Sequence, residues 1–386
     1  MRKGWEYKRF EEVFDLQMGK TPDRKNPEYF GGNNVWVSIR DLGDKEIADS
    51  NEHITDFAVS NSNIRKVKRG TVIMSFKLTV GKCGIAATDL YTNEAIMAFN
   101  TKESFDINSS FLYYYLQCYH WVGSNKAVMG TTLNKATISK QYISIPPLST
   151  QLAIVSELDK INELIRLKKE QLKDFDNLAQ SLFYEMFGDP VENEKGWEVK
   201  KLREIGEVKT GNTPSRSNDN FYNEKFIEWI KTDNIRNEQM NPTTAAEYLS
   251  RDGAECGRIV SKGSILVACI AGSLSSIGKC CITTKNVAFN QQINAITPYG
   301  DFCNSIYLYE LIRNSYKYIQ QNATTGMKHI LSKSIFEKMK FPLPPLPLQR
   351  LFAQRIEQIE REKSEVQKSI QDLETLLASR MQYWFE

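Results

Sequence analysis

The sequence has few of the residues, and none of the complete motifs, on which most enzyme sites depend. Only three histidines are present (His53, His120 and His329); they are widely separated, and no Cys-x-x-Cys pair accompanies them. Zinc sites need three or four such ligands at short spacing. The chain also lacks a Gly-x-Ser-x-Gly elbow, an Asn-Pro-Pro-aromatic box and a glycine-rich dinucleotide loop. The sequence thus predicts no catalytic centre, no metal site and no cofactor.

Two partial motifs do not change this interpretation. Residues 272–280 resemble a phosphate-binding loop, but one residue too many separates the glycines, and Cys280 stands where a Mg²⁺-binding hydroxyl belongs. We interpret the segment as a turn between strands. Glu-x-Lys triplets at 198–200 and 207–209 match half of a nuclease site, but such triplets are frequent by chance in a chain this charged, and the first copy does not repeat the second of them.

Long apolar runs and a regular cysteine framework are missing too. No stretch approaches 18 apolar residues, so no membrane span is expected, and residues 1–6 lack the apolar core of a signal peptide. The seven cysteines are odd in number and include an adjacent pair, Cys280-Cys281, which does not suggest disulfides. A reducing cytoplasm is therefore predicted. The net charge of +3 is too small to indicate nucleic-acid binding, so any such surface must be a local cluster.

What the sequence does contain is a long internal repeat. Four short motifs occur in the same order in each half, separated by 192 to 198 positions. They are Gly4-Trp5-Glu6 and Gly196-Trp197-Glu198, Gly19-Lys20-Thr21-Pro22 and Gly211-Asn212-Thr213-Pro214, Gly81-Lys82-Cys83 and Gly278-Lys279-Cys280, and Pro146-Pro147-Leu148 and Pro344-Pro345-Leu346. The separation only grows along the chain, as it does when diverged copies gain loop insertions. Since the period far exceeds that of a solenoid repeat, it indicates a duplicated domain.

Each copy has the pattern of a mixed domain followed by one long helix. Short apolar runs between glycines predict strands at 35–39, 70–76 and 83–86, and at 228–230, 263–268 and 280–282. Helices are expected at 110–122 and 305–319. After each proline pair, apolar residues step by three, four and seven along a highly charged segment. Such a narrow stripe needs a partner, and the other copy's helix is the obvious one.

The chain direction predicts an antiparallel helix pair, since the first helix leads away from domain one and the second returns towards it. The expected class is α+β: two duplicated mixed domains, separated by a long antiparallel two-helix coiled coil with pseudo-two-fold symmetry. We expect domain one at 1–148, helix one at 149–187, a linker at 188–195, domain two at 196–346 and helix two at 347–386, with Trp384 close to domain one. The alternative is that each helix packs on its own domain.

Polar loops recur at corresponding places in the two copies. Their cations, amides and hydroxyls suit phosphates and base edges, although a solvated surface loop would look similar. The candidate DNA-binding residues in copy one are Lys20, Thr21, Arg24, Lys25, Arg40, Lys77, Lys82, Lys126, Thr131 and Lys135. Those in copy two are Asn212, Thr213, Arg216, Lys231, Arg236, Lys279, Lys328 and His329. Among them, Arg24, Arg40, Arg216 and Arg236 are predicted to read bases in the major groove.

In order and over the whole chain, these motifs resemble the DNA specificity subunits of type I restriction–modification systems. The resemblance includes a glutamine shortly after each proline pair, Gln151 and Gln349; it departs from the family at Thr150 and Leu348, where an acidic residue commonly precedes the glutamine. It implies two target-recognition domains that read the unlike halves of a bipartite double-stranded DNA site. It further implies two adenine-methylating modification subunits that bind S-adenosylmethionine, and restriction subunits that use ATP and Mg²⁺.

Two other functional classes stay open at this point. Residues 342–347 contain Pro-x-x-Pro spacing, which suits a two-domain protein-interaction adaptor. The chain could equally be the specificity half of a methyltransferase that has no nuclease. Under the main interpretation the long helices would act as a ruler, because about 36 residues give about 54 Å of helix, or about 16 base pairs.

Overall fold

The computed structural model describes residues 2–122, 125–127, 130–236, 239–324, 326 and 328–386, with backbone alone at 125–127 and 130–132. It divides into two compact units. Unit 1 comprises Met1–Lys168 and Ser369–Glu386, and unit 2 comprises Lys169–Lys368. None of the helices in the described part of the chain is both long and apolar enough to cross a membrane.

The first copy contains twelve strands and four short helices within its described residues, and a long helix follows. The strands are β1 (Glu6–Arg9), β2 (Phe14–Met18), β3 (Phe30–Val37), β4 (Glu46–Ile47), β5 (His53–Ile54), β6 (Val72–Ser75), β7 (Cys83–Ala86), β8 (Tyr91–Thr92), β9 (Ile96–Thr101), β10 (Asn125–Ala127), β11 (Gly130–Thr132) and β12 (Tyr142–Ile145). The helices are α1 (Phe10–Val13), α2 (Asp56–Ser62), α3 (Ser109–Cys118), α4 (Lys135–Lys140) and the long α5 (Leu148–Phe187).

The second copy repeats this succession of elements. Its strands are β13 (Val199–Lys201), β14 (Gly206–Thr210), β15 (Ile227–Ile230), β16 (Tyr248–Leu249), β17 (Ile259–Val260), β18 (Ile265–Ala268), β19 (Ile270–Ala271), β20 (Cys280–Ile282), β21 (Val287–Phe289), β22 (Ile293–Pro298), β23 (His329–Ile330) and β24 (Lys340–Pro342). Its helices are α6 (Leu202–Ile205), α7 (Arg251–Cys256), α8 (Ser305–Asn314), α9 (Tyr316–Gln321), α10 (Lys333–Phe336) and the long α11 (Leu346–Phe385).

The two copies share the central strands of both sheets, and β4 and β17 each add an edge strand in one copy only. In unit 1 the order β2-β9-β6-β7-β4 forms one sheet and β5-β3-β8 a second; in unit 2 the orders are β14-β22-β18-β20 and β16-β15-β21-β17. Each second sheet has one parallel pair, β3–β8 or β15–β21. An antiparallel pair, β1–β12 or β13–β24, joins the first and last strands of each copy. This shared topology confirms the predicted duplication and the mixed fold class.

The sequence explains why the middle strands lie inside. All four residues of β6 and all four of β18 are buried, as expected where a sheet is covered on both faces. Helix α3 packs on the first sheet of unit 1, and α8 packs on that of unit 2. An asparagine caps each of these helices: Asn108 accepts from Phe111 N, and Asn304 accepts from Ile306 N and Tyr307 N.

Two predicted helices differ from the structure, one in its end and one in its continuity. The sequence predicts one helix over 110–122, but α3 ends at Cys118, where Tyr119 turns to extended backbone and its ring packs 4.5 Å from that of Trp121. The segment 305–319 is interrupted at Ser315, whose N–H is shared between the carbonyls of Leu311 and Ile312. The long helices begin at Leu148 and Leu346, one residue before the predicted starts.

The glutamine after each proline pair attaches the long helix to its domain. Gln151 Nε2 donates to Asp106 O at 2.9 Å and Pro146 O at 3.0 Å, while its Oε1 accepts from Asn108 N at 2.8 Å. Gln349 repeats all three bonds with Phe302 O, Pro344 O and Asn304 N. Both side chains are at most 1% exposed, so these bonds replace water completely.

We expect Gln349→Ala to lower the free energy of unfolding of unit 2 by about 2–4 kcal/mol, because three buried backbone groups lose their partner. Urea denaturation measures the change. Gln358→Ala, at an exposed position of the same helix, is the matched control and should stay within about 0.5 kcal/mol. A Gln349 variant as stable as this control would show that water replaces the side chain.

The long helices run antiparallel to each other. Within unit 2, Phe187 near the end of α5 lies 5.1 Å from Phe352 near the start of α11, while the earlier Asp176 accepts from the later Lys363 at 3.0 Å. Within unit 1, Trp384 Nε1 donates to Glu157 at 2.9 Å. The predicted pairing and the predicted place of Trp384 are therefore confirmed. The alternative also holds in part, because the same segments pack into the core of each unit.

Candidate nucleic-acid interface

The Gly-x-Thr-Pro loop of each copy, residues 19–22 and 211–214, lies directly against the chain that follows β8 or β21. A Cβ atom on Gly19 would stand 2.2 Å from the carbonyl oxygen of Asn93, and one on Gly211 would stand 2.2 Å from that of Asn290. No side chain can be accommodated at such distances, so both positions require glycine. The repeat of this motif is therefore explained by close approach of two backbones.

A buried tryptophan donates a hydrogen bond to the backbone of the same loop in each unit. Trp36 Nε1 donates to the carbonyl of Lys20 at 3.2 Å, and Trp229 Nε1 donates to that of Asn212 at 3.2 Å. Both indoles are at most 3% exposed. The loop backbone is also bonded to its neighbour, through Lys20 N to Thr92 O in unit 1. Each loop is thus a rigid platform built on a strand of the second sheet.

The threonine of each loop contacts a polar residue that sequence reasoning missed. Thr21 bonds to Glu94, and Thr213 bonds to Gln291. These partners follow Asn93 and Asn290, within Asn-x-x-Ile segments 197 positions apart, the same separation as the Gly-Lys-Cys motifs. This shared separation was the sequence signal that could have identified Glu94 and Gln291 as corresponding residues. The pair Glu94 and Gln291 differs in charge, so the two platforms present different chemistry.

Arg24 and Arg216, two of the predicted base readers, make matching contacts inside their own units. Arg24 Nη1 and Nη2 donate to the two carboxylate oxygens of Glu52 at 2.5 and 2.9 Å. Arg216 Nη2 donates to Glu247 at 2.5 Å, and Lys231, also a predicted DNA contact, bonds to the other oxygen. Side-chain exposure is 54% for Arg24 and 51% for Arg216, so each still reaches solvent.

Both guanidinium groups also lie over two aromatic rings. The Arg24 Cζ atom is 4.9 Å from the ring centre of Phe30 and 5.1 Å from that of Trp36. The Arg216 Cζ atom is 4.5 Å from Tyr222 and 4.8 Å from Trp229. Cation–π contact of this kind adds about 0.5–1 kcal/mol at exposed sites.

The neighbouring cations lower the pKa values of both carboxylates. The Arg24 hydrogen bonds lower the pKa of Glu52 below its usual value. Partial burial raises the pKa of Glu247, but hydrogen bonds from Lys231 and Arg216 outweigh this, and the net shift is downward. Both carboxylates are therefore charged at neutral pH, and each neutralises much of the charge that its arginine would offer to a phosphate.

The other predicted residues lie at several places in the two units. Lys20, Lys25, Arg40, Lys82, Lys135, Arg236 and Lys328 are exposed, and Lys77 and Lys279 are half-buried. Arg40 lies in a short 3₁₀ turn, Ile39–Asp41, directly after β3, and Arg236 lies just beyond the matching turn, Thr232–Asn234. The side chains of Lys126 and Thr131 lie outside the described residues.

Two further candidates lie in or beside paired backbone. Asn212 Nδ2 donates to Cys256 O at 2.8 Å and Oδ1 accepts from Arg258 N at 2.7 Å, so both ends of its amide are bonded to backbone. His329 lies in β23, paired with Ala271 of β19, and its buried Nδ1 has no partner among the described residues. The Asn212 amide thus holds the loop to the chain at Cys256 and Arg258.

Unit 2 has a concavity of about 460 Å³ beside its platform. Predicted residues Arg236 and Lys279 line it, together with Thr232, Asp233 and Gln292. Gly272, Ser276 and Lys279 form part of its wall, in a turn that leads from β19 to β20 and includes a 3₁₀ segment, Leu274–Ser276. The predicted turn is thus confirmed. Within the described residues no group of three or more His, Cys, Asp or Glu side chains is arranged to hold a metal.

Comparison with known proteins gives the family. The model of the type I restriction modification DNA specificity domain matches residues 2–174 and again residues 194–375. The MjaIX specificity subunit of Methanocaldococcus jannaschii is 29% identical over 237 residues, covering 55% of this chain and 54% of that protein. The HindI specificity subunit of Haemophilus influenzae is 31% identical over 166 residues, covering 42% and 35%. The alignments thus span about half or less of these curated relatives.

Solved structures support the same fold. A chain from a study of complex assembly and conformational transition of the type I R-M system has a TM-score of 0.66 at 17% identity, covering 100% of this chain and 98% of that one. The S subunit from M. genitalium has a TM-score of 0.55 at 13% identity, covering 98% and 95%. With two matches of the family model over most of its length, the chain belongs to the type I restriction–modification DNA specificity family.

Proposed function

We propose that this chain is the DNA sequence-specificity subunit of a type I restriction–modification complex. It recognises an asymmetric bipartite site, two short half-sites with a nonspecific spacer, and contributes no catalytic group. Two modification subunits supply S-adenosylmethionine-dependent adenine methylation, and restriction subunits supply ATP- and Mg²⁺-dependent cleavage. Since its substrate is cellular DNA, the complex is cytoplasmic.

The observation that supports this function is the pair of matching platforms. Each unit holds a Gly-x-Thr-Pro loop on a buried tryptophan, with the same backbone contacts. The groups presented there differ, with Glu94 in one unit where Gln291 stands in the other. A shared scaffold with different polar groups suits two unlike half-sites, because base edges are distinguished by their donor and acceptor patterns.

The proline-rich alternative fits the structure less well. Pro342 is paired within β24, and its carbonyl accepts from Tyr307 OH at 2.8 Å; the Pro344 carbonyl accepts from Gln349. A polyproline ligand needs a backbone free to dock in a partner's groove. The segment instead closes the domain and starts α11, which weakens the adaptor interpretation.

Mapping methylated adenines in cells that express the chain with its modification subunits tests the function. We expect one bipartite motif with two unlike half-sites and a fixed spacer. A contiguous motif, or no sequence-dependent methylation, would contradict the proposal. Purifying the methylating complex and adding restriction subunits, ATP and Mg²⁺ then distinguishes the two kinds of system. DNA cleavage identifies a complete restriction–modification system, and its absence identifies a methyltransferase without a nuclease.

We further propose that α5 and α11 set the spacer. Inserting four residues after Arg166, matched by four after Lys368, adds about one turn or 6 Å to each helix. The preferred spacer should then grow by about one or two base pairs, at about 3.4 Å each, with both half-sites unchanged. Methylation mapping reads this directly, and an active variant with the original spacer would refute the ruler.

A further inference from the structure

The arginine of each platform is paired with a carboxylate on the chain next to the tryptophan strand. Glu52 O accepts from Trp36 N at 3.3 Å, and Glu247 O accepts from Trp229 N at 3.1 Å, so each carboxylate belongs to the chain directly beside its indole. The arginine lies just beyond the proline of the loop. The ion pair therefore joins the chain just after the loop to the segment that is hydrogen-bonded to the tryptophan strand.

The same contacts recur although the surrounding sequences have diverged. Arg24 and Arg216 are separated by 192 positions, and Glu52 and Glu247 by 195. The aromatic partner changes from Phe30 to Tyr222, yet the two ring planes meet edge to face in both units, with centroids 6.1 and 6.2 Å apart. A residue that reads bases in unlike half-sites would be expected to differ between the copies, whereas a shared scaffold contact would be kept.

We propose that Arg24–Glu52 and Arg216–Glu247 are positioning pairs, which hold the Gly-x-Thr-Pro loops in the conformation that meets DNA, and that neither arginine reads a base. This inference rests on the proposed function and replaces the sequence-based role of both arginines. Recognition of each half-site depends on its pair through the loop.

Arginine suits this task better than lysine. Its planar guanidinium can lie flat on two rings while it donates along one edge to a carboxylate, and lysine offers only a point charge. Arg24 uses two nitrogens on Glu52, and Arg216 shares Glu247 with Lys231. A lysine substituted for the arginine should therefore not restore the loop.

The test compares Arg216→Gln, Glu247→Gln and the double variant in the complex with the modification subunits. Binding to duplexes that carry every single-base change in either half-site gives a base-preference profile. The second half-site is the one that unit 2 reads. We expect each single substitution to weaken binding through it about tenfold, by the same factor for every base pair. The double variant should bind no more weakly than either single variant, because the two side chains act as one pair. Arg216→Lys should behave like Arg216→Gln.

The first half-site, which unit 1 reads, serves as the control for folding. The base preferences measured at this half-site should stay unchanged in all the unit 2 variants. Arg24→Gln and Glu52→Gln should reverse the pattern, weakening only the first half-site. Relaxed preference at a single base pair in Arg216→Gln, with Glu247→Gln unaffected, would overturn the proposal and make Arg216 a base reader. Unchanged binding in both single variants would overturn it too. If the parent complex showed no bipartite preference, the proposed function itself would fail.

Discussion

Replacing Gly211 with alanine is expected to abolish recognition of the second half-site while the first is still read. The added Cβ would stand 2.2 Å from Asn290 O and 2.4 Å from Phe289 O, and both are backbone atoms that cannot rotate away. Overpacking costs about 1–3 kcal/mol and sometimes more, and a contact this short with fixed backbone atoms belongs at the upper end of that range. The loop must then leave its platform, and affinity through that half-site should fall at least about 100-fold.

Two matched variants make the result specific. Gly19→Ala should produce the mirror effect, loss of the first half-site with the second intact, because its Cβ would meet Asn93 O and Thr92 O at 2.2 and 2.3 Å. Gly300→Ala is the control in unit 2, since its Cβ would meet nothing within 4 Å and it lies outside the candidate interface. Methylation mapping shows which half-site each of the three glycine variants still recognises. Normal recognition by the Gly211 variant would show that the loop does not contribute to the interface.

Phe187→Ala is expected to destabilise unit 2 more than any surface change. The ring is 1% exposed and lies 4.9 Å from Tyr307, 5.1 Å from Phe352 and 5.3 Å from Phe183, measured between ring centroids. It thus joins α5, α8 and α11. Removing such a ring leaves a cavity and costs about 3–5 kcal/mol, which chemical denaturation of the chain measures.

Tyr184→Ala, three residues earlier in α5, provides the control, because that side chain is 37% exposed and its loss should cost about 1 kcal/mol or less. If both substitutions lowered the free energy of unfolding by the same amount, the contacts of the Phe187 ring would have no specific role. A shift confined to Phe187→Ala would show that the long helices are held to unit 2 by this cluster.

The parts of the molecule that repeat were predictable from the sequence. Glycine at 19 and 211, tryptophan at 36 and 229, and glutamine at 151 and 349 recur in order, and each proved to be a position with a steric or hydrogen-bonding requirement. The antiparallel helix pair followed from chain direction and the apolar stripes. Helix ends were less predictable, because Tyr119 and Ser315 leave the helix through tertiary and backbone contacts that no periodicity records.

The sequence by itself determined the duplication, the mixed class of each copy, the helical connection and the absence of recognisable catalytic motifs, because these depend on local pattern and composition. Only the tertiary structure decided what the charged loop residues do. Arg24 pairs with Glu52 across 28 residues of chain and Arg216 pairs with Glu247 across 31. Thr21 bonds to Glu94 across 73 residues. An exposed cation and a paired one look alike in sequence, since the difference lies in which distant carboxylate the fold brings within hydrogen-bonding distance.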